Sequence, residues 1–192
     1  MTANVKFAKV KPDAIIPSKR DEDMGFDIYA CFDEDYIVIK PHHTVLVPTG
    51  IASSCDSNYG FVLRERGSTG SKGIALRAGV IDSGYRNEWF VGLTNTNEEE
   101  ICITKLSDED TKTQYVKWNM SKESYANEVT KNMMQEIYEG MADRLMLYPY
   151  SKAIAQALII PVPKVEISEV SYEELKEIES ERGMGALGSS NK

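Results

Sequence analysis

Short runs of β-branched and aromatic residues, separated by turn-forming residues, dominate the first 97 positions of the chain. Runs of this composition bounded by Pro, Gly, Asn and Asp are typical of β-strands. They recur roughly every 10 residues with little helical periodicity between them, which favours a sandwich, jelly roll or barrel over alternating βαβ units. The pattern predicts an all-β fold with strands in YIVIK before Pro41, TVLVP ending at Pro48, GFVLR from Gly60 and WFVGLTN from Trp89.

A helical pattern first appears in the second half of the chain. Apolar residues there recur at every fourth position, at Tyr125, Val129, Met133, Ile137 and Met141. That spacing places them on one face of a helix. Ser121 suits an N-cap position, so we predict a helix over residues 122–139 that ends near Gly140.

The segment before this helix and the C-terminal part of the chain have weaker patterns. Residues 98–110 carry six acidic side chains without a sustained apolar pattern, which predicts a solvated loop. Strand character returns in residues 154–163 and 164–170, and residues 171–180 have the composition of a short helix. The glycine-rich residues 181–192 predict a mobile C-terminal arm.

The length of the chain indicates the number of domains, and its net charge argues against some classes of function. With 192 residues and 42% hydrophobic content, the chain is expected to form one domain over residues 1–192. A net charge of −8 argues against binding to polymeric nucleic acid or anionic membranes, both of which need extended positive surface. No apolar run is long enough to span a bilayer and no apolar leader is visible, so we expect a soluble cytoplasmic protein.

Residues 64–86 depart from this acidic balance. They hold five basic residues against two acidic ones, together with five of the 13 glycines of the chain. Backbone amides freed by glycine, the hydroxyls of Ser68, Thr69 and Ser71, and the Arg66 guanidinium are groups that bind phosphate oxygens. The segment therefore predicts a polyphosphate site, and the alternative interpretation is a polar hairpin loop.

The run AGVIDSGYR, residues 78–86, predicts a hairpin tip that presents Asp82 and Tyr85. An aspartate in a turn commonly hydrogen-bonds to the local backbone. Beside an arginine-rich loop, however, a carboxylate that repels phosphates also suits a base that orients a water molecule. Both interpretations of Asp82 are open from the residues alone.

Five segments, taken in order, resemble the motifs of the trimeric deoxyuridine triphosphate diphosphatases, or dUTPases. They are MGFDIYA at 24–30, RERGSTGSK at 64–72, AGVIDSGYRNE at 78–88, IAQALII at 154–160 and ERGMGALGSS at 181–190. The resemblance implies a jelly-roll β subunit and a homotrimer whose three sites each draw residues from all three chains. It also implies hydrolysis of dUTP to dUMP and pyrophosphate.

The third of these motifs would supply the nucleoside contacts and the catalytic base. By resemblance, Asp82 orients the water that attacks the α-phosphorus, and Tyr85 lies against the deoxyribose and excludes a 2′-hydroxyl. Backbone groups of Gly79, Val80 and Ile81 would bind the uracil edge. A ribonucleotide or a methylated base is then expected to fit poorly.

The first, second and fourth motifs would hold the triphosphate and its Mg²⁺. By resemblance, Arg66, Gly67 and Ser68 bind phosphates, and Gln156 reaches them directly or through water. Mg²⁺ would be bound mainly by the triphosphate itself. Asp27 would either contact the ion through water or hold arginine and glutamine partners.

The fifth motif would place substrate-binding residues on the C-terminal arm. By resemblance, Arg182 binds the γ-phosphate from a neighbouring subunit, and Leu187, Gly188 and Ser189 also contact the substrate. The family usually has a phenylalanine that stacks on uracil where this chain has Leu187. An apolar contact from Leu187 would recover only part of that stacking.

Residues 98–147 separate the third and fourth motifs more widely than in compact members of this family. We interpret them as a surface insertion, which is either structural or a contact surface for an unknown protein. Two other functions are left open. One is a deoxycytidine triphosphate deaminase on the same fold, and the other is a regulatory binding protein whose shape nucleotide switches.

Overall fold

Twelve β-strands, paired in four small sheets, form the framework of residues 3–180, the part of the chain that this computed structural model describes. The strands are β1 (Val5–Lys9), β2 (Phe26–Ile28), β3 (Tyr36–Ile39), β4 (Thr44–Pro48), β5 (Ile51–Cys55), β6 (Tyr59–Arg64), β7 (Ile74–Arg77), β8 (Val80–Ile81), β9 (Phe90–Asn95), β10 (Ile101–Thr104), β11 (Met146–Pro149) and β12 (Ala155–Pro161). The helices are α1 (Gly67–Gly70), α2 (Asp108–Ser121), α3 (Glu128–Asp143) and α4 (Tyr172–Glu177).

The sheets have the strand orders β1-β5, β2-β12-β6-β8, β4-β9-β7 and β11-β10-β3. Neighbouring strands are antiparallel, except that β10 and β11 are parallel. The prediction of a mainly β fold is confirmed. The four apolar runs that predicted strands in the first half of the chain form β3, β4, β6 and β9.

The core of the unit that ends at Val162 is packed around aromatic side chains. The rings of Phe61 and Trp89 are almost fully buried with centroids 5.0 Å apart, and the ring of Phe7 lies 5.7 Å from that of Trp89. Burial of side chains of this kind contributes about 1.5–3 kcal/mol each. Because Phe7 is on β1, Phe61 on β6 and Trp89 directly before β9, this cluster holds three of the sheets together.

The prediction of a solvated loop over residues 98–110 is wrong. Strand β10 lies inside that segment, between β3 and β11, and all four of its residues are buried. A strand buried on both faces reads as a continuous apolar run instead of an alternating pattern, and ICIT is too short to stand out among acidic neighbours. The second acidic group begins α2, where Asp108, Glu109 and Asp110 occupy the first turn. Negative charge there is favourable because of the helix dipole.

The predicted helix over 122–139 is found four to six residues further along the chain, as α3 (Glu128–Asp143). Ser121 ends α2, and Asn127 caps α3 by accepting a hydrogen bond from the Thr130 N–H at 2.9 Å. Three of the residues that predicted the helix remain exposed, Val129 by 69%, Met133 by 59% and Ile137 by 49%. Their periodicity therefore identifies a helix, but not a face that is buried within this chain.

The C-terminal part agrees only partly with prediction. The strand predicted over 154–163 is β12, and the short helix is α4, capped by Ser171 and Glu174. The strand predicted over 164–170 is wrong, because the segment is exposed and pairs with no strand in residues 3–180. From Pro163 onward the chain is a separate unit, and the predicted arm of residues 181–192 lies outside the described residues. Among the described helices, none combines the length and apolarity that crossing a bilayer requires.

Candidate active site

Three polar residues form one row across the sheet β2-β12-β6-β8. In the strand register, Asp27 on β2 is opposite Gln156 on β12, and Gln156 is opposite Arg64 on β6. Strand β6 ends at Arg64, so the glycine-rich segment that follows leaves the sheet beside this row. The antiparallel pairing thus brings together parts of three segments that are far apart in sequence.

Arg66 is fixed over this row by an ion pair. Its Nε atom lies 2.9 Å from Oδ1 of Asp27, and its Nη2 donates to Oδ2 at 3.3 Å. Its Nη1 lies 3.5 Å from the hydroxyl of Ser68. Both Arg66 and Asp27 have about a third of their side-chain surface exposed, 31% and 34%, so the pair faces the solvent side of the site. A guanidinium held in this way is oriented before any ligand binds.

The loop is further ordered by Thr69, which corrects one expectation. Thr69 is almost fully buried, its hydroxyl donates to the Arg66 carbonyl at 3.0 Å, and it also accepts from the Arg66 N–H at 3.0 Å. The Thr69 hydroxyl is therefore a structural group of the loop, not a phosphate ligand. Ser68 and Ser71 remain exposed.

A cavity of about 700 Å³ opens at this row. Its lining includes the predicted residues Asp27, Arg66, Gly67, Ser68 and Gln156, and residues 18–20 and 23–25 form the rest. A side chain at Gly25 would bring its Cβ within 2.6 Å of Oε1 of Gln156, so it would displace the Gln156 side chain from its present position. Sequence reasoning did not assign residues 18–23 to the site, although Lys19 and Arg20 lie only five and four residues before the first motif.

Glu65 ties the loop to strand β7. Its Oε1 accepts a hydrogen bond from the Leu76 N–H at 2.9 Å, while Gln156 Nε2 donates to the Glu65 carbonyl oxygen at 2.8 Å. The hydrogen bond from Leu76, and then one from its own backbone N–H, lower the pKa of the Glu65 carboxyl below its ordinary value. The position of Arg66 therefore depends on the ionised form of its neighbour.

Replacing Glu65 by Gln is expected to destabilise the fold in a pH-dependent way. A carboxyl whose pKa is lowered by folding contributes stability above its unfolded pKa, and this contribution is lost as the pH falls through the folded pKa. The difference in unfolding free energy between wild type and Glu65→Gln should therefore shrink between about pH 5 and about pH 3. Urea unfolding over that range measures it. The exposed Glu34 offers a matched control as Glu34→Gln, and a difference that is constant with pH would contradict the role of the carboxylate.

The second group of predicted residues lies in residues 78–86, which we call the Asp82 segment. The prediction of a hairpin tip there is wrong, because β8 pairs with β6 whereas β7 pairs with β9 in another sheet. The Gly79 carbonyl accepts from the Leu63 N–H at 2.6 Å, and a Cβ at Gly79 would approach the Leu63 carbonyl oxygen to 2.6 Å. Asp82 is exposed at the turn, where its carbonyl accepts from the Tyr85 N–H at 3.0 Å. The Tyr85 hydroxyl donates to the Glu88 carbonyl at 3.1 Å. Val80 is 71% exposed, whereas Ile81 is buried.

The two groups do not meet within one chain. Ile81 is opposite Phe61 on β6, so Asp82 is level with Gly60, four residues before Arg64. Four residues of strand span about 13 Å, and three strand spacings of about 4.8 Å separate β8 from β2, which gives roughly 20 Å between Asp82 and the Asp27–Arg66 pair. The remaining predicted site residues, Arg182, Leu187, Gly188 and Ser189, lie outside the described residues.

Within residues 3–180, no group of three or more His, Cys, Asp or Glu side chains is arranged to hold a metal ion. Both carboxylate oxygens of Asp27 face the Arg66 guanidinium. That geometry fits an aspartate that contacts a metal only through water.

A family model and a sequence relative both match this chain to dUTPases. A family model described as dUTPase matches residues 11–107, just over half of the chain. The deoxyuridine 5'-triphosphate nucleotidohydrolase of Nautilia profundicola is 30% identical over 192 residues, covering 98% of this chain and 99% of that relative.

Solved structures show the same fold at low sequence identity. A mutant dUTPase of Staphylococcus bacteriophage 80alpha with dUpNHpp has a TM-score of 0.65 and 18% identity, covering 97% of this chain and 98% of its own. A mutant dUTPase from phage phi11 of S. aureus, described as revealing the coordination of a structural Mg(II) ion, has a TM-score of 0.57 and 17% identity, with coverages of 88% and 99%.

Proposed function

This chain belongs to the dUTPase family, and from that premise we propose that it hydrolyses dUTP to dUMP and pyrophosphate by in-line attack of water on the α-phosphorus. The observation that carries the proposal is the polar cavity in which Arg66 is held by Asp27, with Gln156 in the same sheet row. Phosphoanhydride hydrolysis asks a protein chiefly for alignment of the reacting groups and neutralisation of charge. An oriented guanidinium in a polar cavity supplies both.

The phosphate-binding half of the site is assigned to the loop after β6. Arg66, Gly67 and Ser68 bind phosphate oxygens, and Gln156 both supports the loop through Glu65 and faces the same cavity. Asp27 orients Arg66. A Cβ at Gly67 would meet no atom within 4 Å, so the backbone there is open to a ligand.

The nucleoside half of the site is assigned to the Asp82 segment, which contains β8 and the turn after it. Backbone groups of Gly79, Val80 and Ile81 bind the uracil edge, and the half-exposed ring of Tyr85 lies against the deoxyribose. The Asp82 carboxylate accepts the proton of the attacking water. It makes no hydrogen bond within residues 3–180, so it is available for that role, and the alternative of a local turn contact receives no support.

Because roughly 20 Å separate these two halves in one chain, a complete site requires the Asp82 segment of one subunit beside the cavity of another. We assign this to a homotrimer. Exposed apolar side chains support subunit contacts: Leu46 is 64% and Phe90 is 42% exposed on the same face of the β4-β9 pair. Exposed apolar surface of this kind commonly marks protein interfaces. The roles of Arg182, Leu187, Gly188 and Ser189 rest on the resemblance of their motif alone.

We assign the binding of Mg²⁺ to the triphosphate of the substrate and not to a set of protein ligands. When bound by the triphosphate, Mg²⁺ would neutralise phosphate charge, and Asp27 would contact it through water. The chain's own residues orient Arg66, place the phosphates and accept the proton at Asp82.

Incubation of the purified chain with each deoxynucleoside triphosphate and Mg²⁺ tests the proposed function. We expect dUMP and pyrophosphate from dUTP, and much slower turnover of dTTP and UTP, because the backbone of the Asp82 segment and the Tyr85 ring would leave little room for a methyl group or a 2′-hydroxyl. Chromatography of the nucleotides and assays for pyrophosphate and ammonia identify the products. Ammonia released from dCTP would support the deaminase instead.

A further inference from the structure

The charged residues that line the cavity are unequally paired. The lining contains three cationic side chains, Lys19, Arg20 and Arg66, and two carboxylates, Asp23 and Asp27. Arg66 is paired with Asp27, as described above. Arg20 is paired with Asp23 in a two-pronged contact, with Nε–Oδ2 and Nη2–Oδ1 distances of 2.8 and 2.9 Å. Each arginine charge is therefore offset by one carboxylate.

Lys19 has no such partner. It forms no ion pair with any carboxylate in residues 3–180; its Nζ donates to the carbonyl oxygens of Arg20 and Asp21, at 3.1 and 3.4 Å. The same nitrogen lies 5.8 Å from the centre of the Phe26 ring. An ammonium group has three donors, so one remains for a ligand. The net positive charge of the cavity lining is that of Lys19.

The positive charge of Lys19 suits the binding of a substrate's triphosphate. The β- and γ-phosphates, which leave as pyrophosphate, carry most of the negative charge of dUTP, and a compact ammonium is a common phosphate ligand. Arg66 and Arg20 already share their charge with carboxylates. A cation in the same lining that forms no ion pair of its own would therefore contribute most to the electrostatic attraction of the polyphosphate.

We propose that Lys19 is a substrate-binding residue that contacts the β- or γ-phosphate, a role outside the five motifs that rests on the proposed function. Residues 18–25 are then a wall of the phosphate site and not only its surroundings. Lys19 helps to distinguish a nucleoside triphosphate from the monophosphate product, because only the triphosphate extends to it.

Initial rates of dUTP hydrolysis by three variants of the full chain test this role. Lys19→Gln removes the charge, Lys19→Arg keeps it, and Lys9→Gln removes a charge from an exposed lysine of β1 outside the cavity. Loss of one charge-assisted hydrogen bond should raise the KM of Lys19→Gln about tenfold while kcat changes less than about twofold. Lys19→Arg should recover most of the loss, and Lys9→Gln should match wild type.

Inhibitors locate the contact on the substrate. Inhibition by inorganic tripolyphosphate should weaken about tenfold in Lys19→Gln, whereas inhibition by dUMP should be unchanged, because dUMP lacks the outer phosphates. Equal weakening of both inhibitors, or kinetics of Lys19→Gln that match those of Lys9→Gln, would overturn the proposal.

The two proposals can fail separately. If wild type hydrolyses no dUTP, the proposed function fails, and calorimetric titration with tripolyphosphate then tests Lys19 by itself. Tighter binding by wild type than by Lys19→Gln supports the contact. Equal affinity, or binding to neither, rejects it. If wild type hydrolyses dUTP but Lys19→Gln is unaffected, only the role of Lys19 is rejected.

Discussion

Replacement of Asp82 by Asn is expected to lower kcat for dUTP hydrolysis by about 10²- to 10⁴-fold, the usual contribution of a general base. Asparagine has the same shape but cannot accept the proton of the attacking water. The Asp82 carboxylate is exposed and makes no hydrogen bond in the described part of the chain, so the fold should be unaffected. Binding of a non-hydrolysable dUTP analogue should stay within about threefold of wild type.

Steady-state release of pyrophosphate and calorimetric titration with the analogue measure these two effects. Asp13→Asn is the matched control, since Asp13 is also an exposed turn aspartate without a side-chain hydrogen bond or ion pair in residues 3–180. Turnover by Asp82→Asn at the wild-type rate would exclude Asp82 as the base. Loss of binding together with turnover would show instead that Asp82 shapes the turn after β8. A cellular phenotype that persists without hydrolysis would favour the regulatory alternative.

The strands of the first half were predictable because their ends are marked locally. TVLVP and GFVLR, for example, are bounded by proline and glycine, and both lie where the pattern indicates. Helix α2 was not predicted, because its buried residues are Thr111 and Tyr115, which no apolar pattern reveals. Hydrogen bonds hold them: the Thr111 hydroxyl is 2.7 Å from that of Thr104, and the Tyr115 hydroxyl donates to Glu100 at 2.7 Å.

In the site, too, local sequence patterns identify residues, whereas their arrangement depends on long-range contacts. Asp27, Arg66 and Gln156 could be selected through the resemblance of their motifs, and the structure brings them to one cavity. Their alignment in one sheet row could not be read from the chain, because it depends on long-range strand register. The role of Lys19 becomes visible only when the ion pairs of both neighbouring arginines are known. The interpretation of residues 98–147 as an insertion stays a prediction, as does its role as a contact surface.

The register also explains why the site should be shared. In the β2-β12-β6-β8 sheet, the end of β8 that carries Asp82 and the pair that holds Arg66 lie at opposite corners. Bending one chain to join them would break the pairing of β6 with both β8 and β12. Association of identical subunits achieves the same contact without any change within the sheet, because each subunit offers one corner to each neighbour.

Mixed trimers of two inactive variants are therefore expected to regain activity. Arg66→Gln and Asp82→Asn should each lower turnover by about 10²-fold or more when alone. In trimers refolded from a 1:1 mixture, a site is intact when one subunit supplies Arg66 and its neighbour supplies Asp82, which holds for about one site in four. The mixture should thus recover about a quarter of wild-type turnover, measured by pyrophosphate release after size-exclusion purification of the trimer.

Two controls define the result. Folded variants mixed without denaturation should stay inactive, because their subunits have not exchanged. A chain that carries both substitutions, refolded 1:1 with wild type, should retain about a quarter of the activity if sites are shared and about half if each site lies within one chain. No recovery from the two single variants, together with retention of half in the second control, would place Arg66 and Asp82 of one chain in the same site. The strand register would then have to differ from the one described, because Asp82 and the Asp27–Arg66 pair cannot be joined while β6 is paired on both sides.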